Sequence, residues 1–112
     1  MGAISEIVVR CNQQEDSTGS DDLHFYVDRN FIGSLTITTG ETHTVVGPGA
    51  LFGDTIWIDV GQTLEIYEHD LLDPNDLILS HTVSSSDMDQ TIDLQDQCDT
   101  ADYDFRISFV NI

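Results

Sequence analysis

The sequence has no lysine and only three arginines, Arg10, Arg29 and Arg106, in 112 residues. Neutralising a polyphosphate takes many cations, so a nucleic-acid ligand is excluded. A bare anionic membrane would repel the chain for the same reason. There are two cysteines, Cys11 and Cys98, too few and too far apart for a thiolate metal site. They read either as two reduced thiols or as one disulfide joining the end of the first strand to the approach of the last, a choice that geometry makes. No apolar run nears the ~18–20 residues of a membrane-spanning helix. The start, Met1-Gly2-Ala3-Ile4-Ser5-Glu6, has neither a basic segment nor a long apolar stretch, so no signal peptide is expected. Glu6 also stands where myristoylation wants Ser or Thr. The expectation is a cytoplasmic protein, with secretion by another route left open.

Helical periodicity is nearly absent as well, and alternation with period two takes its place. It predicts strands at Ile4–Cys11, Leu23–Asp28, Phe31–Thr38, Glu41–Val46, Thr55–Val60, Thr63–His69, Leu77–Val83 and Tyr103–Val110, with Gln90–Leu94 as a short strand or connector. Turn residues fall between them, notably Gly47-Pro48-Gly49 and Thr39-Gly40. Spacings of roughly 8–12 residues are those of an antiparallel sandwich or barrel. The expected fold is therefore all-β, an antiparallel β-sandwich of about eight strands, with residues 1–112 forming one domain.

What the chain does have is acid: 21 Asp and Glu, for a formal charge of −18. Two clusters stand between apolar runs, one from Glu15 to Asp22 and one from Glu68 to Asp76. Like charges crowded on one rim cost stability. A cation removes that cost, and hard oxygen ligands without thiolates point to Ca²⁺. In the second cluster Glu68 and Asp70 are two apart at a strand end and share a face. Asp76 closes the loop, Pro74-Asn75 favours its reversal, and Asp73 is a fourth candidate. In the first, Asp16 and Asp22 flank a Thr18-Gly19-Ser20 curve. If the two loops share one end of the sandwich, Asp16, Asp22, Glu68, Asp70, Asp73 and Asp76 supply the 6–8 oxygens that Ca²⁺ takes. A competing reading is salt adaptation, in which the acid only keeps the surface hydrated.

These motifs resemble C2 domains. Asp16-x5-Asp22 before an aromatic strand is similar to their first calcium loop. Glu68-His69-Asp70 followed by Asp76-Leu77-Ile78 is similar to their third, where the family carries Asp-x-Asp-x5-Asp. The resemblance implies a C2-like sandwich with calcium ligation by Asp16, Asp22, Glu68, Asp70 and Asp76. Glu68 departs from the family's Asp, and Leu79 stands where a small residue is common. The basic strand cluster that many C2 domains use for phosphoinositides has no counterpart here. A C2-like fold would place Leu71, Leu72, Leu51 and Phe52 at loop tips, giving membrane contact only if Ca²⁺ is bound; the plainer expectation is that these side chains fold back over the sandwich end.

The remaining residues point away from catalysis. His24, His43, His69 and His81 are spread over four elements, against the convergence a zinc site needs. Asp87, Asp89, Asp93, Asp96, Asp99, Asp102 and Asp104 read as a solvated strand face. There is no Gly-x-Ser-x-Gly elbow, no phosphate loop and no His-Glu-x-x-His. A carboxylate pair for glycoside hydrolysis would need a deep cleft, for which the chain is short. The expected function is calcium buffering, sensing or calcium-dependent docking by a non-enzymatic module, with a metal-independent acidic interaction module as the rival. Any protein partner is left unspecified.

Overall fold

In the computed structural model of the protein, residues 1–15, 19–69, 75–97 and 101–112 are described. Among them nine strands follow in order: β1 (Gly2–Gln13), β2 (Asp21–Val27), β3 (Asn30–Ile37), β4 (Thr42–Val46), β5 (Ile56–Trp57), β6 (Thr63–Glu68), β7 (Asp76–Thr82), β8 (Thr91–Gln95) and β9 (Asp102–Asn111). A single 3-10 turn, Ser85–Asp87, is the one helical piece among the described residues. One sheet runs β4-β1-β9-β8, with β5 paired to β1; the other runs β3-β2-β6-β7. Each of these pairings is antiparallel. The all-β sandwich expected from the alternation is the fold the chain adopts.

The core lies between the sheets, and strand parity builds it. Leu23, Phe25 and Val27 point inward from β2, Leu64 and Ile66 from β6, and Tyr103, Phe105, Ile107 and Phe109 from β9. β1 breaks strict alternation, because Ile4 and Ile7 are three apart yet both fully buried. The register shift between Ile4 and Glu6 explains it: a bulge returns the following residues to the inner face. A similar shift opposite Ile66 and Tyr67 buries both Ile78 and Leu79.

Two expected elements differ. The strand placed at Thr55–Val60 is paired only over Ile56–Trp57, because beyond Trp57 the backbone turns to bond Gly2 and Gln62 instead. The Asp87 end of the acidic run is not solvated. Its carboxylate is buried, accepts a hydrogen bond from Ser84 N (2.9 Å) and meets His81 Nε2 (2.8 Å).

The Gly47–Asp54 loop leaves β4 beside Ile7 and returns through β5 beside Ile4. It therefore lies away from the Gln13 end of β1, where the acidic clusters gather. Phe52 folds back from this loop against Phe25, ring centroids 5.0 Å apart, while Leu51 stays exposed. Leu71 and Leu72 lie outside the described residues.

Candidate metal site at the acidic end

The described residues of both acidic clusters come to the same end of the sandwich. β2 begins at Asp21 where β6 finishes at Glu68, since Leu23 pairs with Glu68 and His69 N donates to the Asp22 carbonyl (2.8 Å). β7 begins alongside, with Glu68 opposite Asp76. Of the six residues singled out in the sequence, Asp22, Glu68 and Asp76 are described and stand on these three neighbouring strands. Asp16, Asp70 and Asp73 lie outside the described residues.

Parity then separates the side chains. Glu68 shares the inward face of Leu64 and Ile66 and is buried. Asp22 sits on the opposite face from Leu23, and its carboxylate meets His24 Nε2 at 3.1 Å on the outer side of the sheet. Asp22 contributes its backbone N–H instead, donating to Glu68 Oε2 (3.2 Å). The inward carboxylate of β2 is Asp21, fully buried and outside the set of six. Asp21 has the same parity as Leu23, Phe25 and Val27, so extending the alternation back by one step would have found it. Its Oδ2 accepts from Glu15 N (2.7 Å) and from the Tyr103 hydroxyl of the facing sheet.

Glu15 is the second residue missed. Its carboxyl reaches Asp76 within hydrogen-bonding range and feels the charges of Glu68 and Asp21. Burial pushes its pKa up, the neighbouring Asp76 adds to that, and the value rises to about 8. Its Oε2 is buried with no hydrogen-bond donor among the described residues. Carboxylates that approach one another in this way need a proton or a cation between them. The donor set of Glu15, Glu68 and Asp76 is all hard oxygen, which fits Ca²⁺ rather than a softer metal. Yet among the described residues no group of three or more His, Cys, Asp or Glu is arranged to hold an ion. The hydrogen bonds above give the reason: Asp21 is held by Tyr103 and Glu15 N, Glu68 faces Asp22 N, and Asp22 turns outward.

Below this end lies a buried polar strip. Cys11 is a free, buried thiol paired across the ladder with Tyr103. Burial raises its pKa, and contact with the Tyr103 hydroxyl offsets part of that. Cys98, the other half of the disulfide considered from sequence, lies outside the described residues.

No protein-family model matches the chain, and no curated protein sequence matches it. Solved structures do. A C2 domain structure is 9% identical over 98% of this chain and 97% of its own, with a TM-score of 0.47. A C2 domain of plant extended synaptotagmin 1 is 10% identical over 99% of this chain and 94% of its own, with a TM-score of 0.44. Human GIVD cytosolic phospholipase A2, solved with methyl gamma-linolenyl fluorophosphonate inhibitor and terbium chloride, is 12% identical over 99% of this chain but 17% of its own, also at 0.44. The chain is similar to C2 domains in overall path, and at these identities the similarity assigns it no ligand and no residue role.

Proposed function

We propose that the protein is a calcium-binding β-sandwich module whose acidic end takes up Ca²⁺ and is ordered by it. The observation that supports this most is the carboxyl of Glu15, whose buried Oε2 lacks a donor among the described residues while Asp76, Glu68 and Asp21 surround it. Glu15, Glu68 and Asp76 are the described residues that would hold the ion. The sequence adds Asp16, Asp70 and Asp73 on the two adjoining segments, which brings the oxygen count to what Ca²⁺ takes. Bound Ca²⁺ supplies charge neutralisation. The chain's part is to bring the ends of β2, β6 and β7 side by side and to keep Asp21 and Asp22 engaged elsewhere. The consequence in the cell is calcium buffering or sensing, or docking that depends on calcium.

The test is calorimetric melting in chelator, in millimolar CaCl₂, and in NaCl at matched ionic strength. Stabilisation of about 2.7 kcal/mol is expected at a hundredfold excess of free Ca²⁺ over Kd. Asp76→Asn should remove most of it. Equal melts in chelator and CaCl₂ overturn the proposal. Equal stabilisation by both salts favours the rival, an acidic module that needs no metal.

A further inference from the structure

The outer face of the β3-β2-β6-β7 sheet carries a row of rings that the core does not use. Tyr26 stands between Phe31 and Tyr67, with centroids 5.6 and 5.8 Å away and ring planes at 63° and 85° to its own. Phe31 is 56% exposed. Beside this row is an open depression of about 410 Å³, lined by Tyr26, Arg29, Glu65, Tyr67 and Asn75. That volume is within the usual range of a small-molecule site.

Its polar groups are set in place. Glu65 Oε2 accepts from the Tyr67 hydroxyl at 2.8 Å, so the acceptor is held against the ring. Arg29 makes no hydrogen bond or ion pair among the described residues, whereas Arg106 is paired with Asp93 and Arg10 bonds Asn12 and Thr42. Arg29 also adopts φ +70, a left-handed conformation that glycine or asparagine takes more cheaply. Its neighbour Asp28, at φ +47, has a structural reason for its place, since it accepts from Thr63 N and Gln62 Nε2. Both positive φ values are those of the two-residue turn that joins Val27 to Asn30, where a type I′ hairpin requires them.

We propose that this face binds a neutral oligosaccharide. The exposed ring of Phe31, with Tyr26 edge-to-face beside it and Tyr67 beyond, offers an aromatic surface on which the C–H face of a pyranose ring can stack. Sugar hydroxyls both donate and accept, and the depression offers donors on Arg29 and an acceptor on Glu65. The charge selects against one class of ligand. A polyanion meets a protein of charge −18. A neutral polyol meets no such obstacle. Nothing in this depends on calcium.

The experiment is titration calorimetry of the full chain, in chelator, with hexasaccharides of glucose, xylose and mannose, and with hexagalacturonate as the anionic arm. Saturable binding of at least one neutral hexasaccharide is expected. Tyr67→Ala and Arg29→Gly should each weaken it about tenfold or more, which is ~1.4 kcal/mol. Arg29→Gly relieves the left-handed backbone while deleting the guanidinium, so it should fold at least as well as the parent. Far-UV circular dichroism reports that each variant is folded. Binding of hexagalacturonate alone, no binding of any neutral sugar, or parent-like binding by both variants overturns the proposal.

Discussion

Tyr103 and Asp21, 82 residues apart in sequence, are joined by a buried hydrogen bond from the phenol to the carboxylate. It ties β9 of one sheet to β2 of the other just beneath the acidic end. Asp21 also receives the Glu15 N–H (2.7 Å), so one carboxylate fixes both the sheet-to-sheet distance and the approach of the first acidic segment. The acidic end is therefore built on a rigid base.

Tyr103→Phe removes the phenol donor and leaves Asp21 buried with one partner fewer. Hydrogen bonds to charged groups are worth about 1.5–3 kcal/mol, and the variant should lose that much in urea unfolding. An unchanged midpoint would mean that Asp21 finds water in place of the phenol.

Glu15→Gln reproduces the neutral form of the carboxyl that its neighbours favour. In chelator at neutral pH it should be more stable than the parent, because the parent takes up a proton on folding and Gln does not. The shift on adding CaCl₂ should shrink, because Gln brings no charge to the ion. Thermal melts in chelator and CaCl₂ give both results. A full calcium shift in Glu15→Gln would remove Glu15 from the ligand set.

The Asp87 carboxyl sets an acid limit to stability. Burial pushes its pKa up, but the Ser84 N–H and His81 outweigh that and hold it below the usual 3.8. A lowered carboxyl pKa contributes stability that is present above 3.8 and is lost as pH falls through the folded value. Asp87→Asn should therefore cost about 1–2 kcal/mol near pH 6 and progressively less as pH falls below 3.8. Melting curves from pH 2 to 6 check the convergence; parallel curves would contradict it.

Phe52 anchors the Gly47–Asp54 loop to the core. A Cβ on Gly33 would lie 2.5 Å from the Phe52 ring, so the ring rests directly on the β3 backbone. Phe52→Ala should cost about 2–3 kcal/mol, below the range of a fully buried phenylalanine because Phe52 is partly exposed. Gly33→Ala should also destabilise, by displacing the same ring. Chemical denaturation of the two single variants and the double variant tests the shared contact, since the double should cost less than the sum.

Much of the fold was legible in the alternation. The positions of β2, β6 and β9 follow from one apolar residue in every two, because a sheet with one wet face sorts side chains by parity. What the alternation did not reveal were the bulges in β1 and opposite β6, which depend on the partner strand. The candidate site was legible as two acidic segments, whose described residues lie at one end of the sandwich. Its inward residues were not. Spacing from Asp16 points to Asp22, whereas Asp21 has the inward parity and Asp22 pairs with His24 outside. Glu15 carried no signal beyond its charge, since its environment is made by β6 and β7.

The sequence by itself determined the class of fold, the succession of most strands along the chain and the sign of the charge, because these depend on local periodicity and composition. Only the tertiary structure decided which carboxylates face one another and which rings share a surface. Such meetings depend on strand register and on how the two sheets pair, and those are set by residues far apart along the chain.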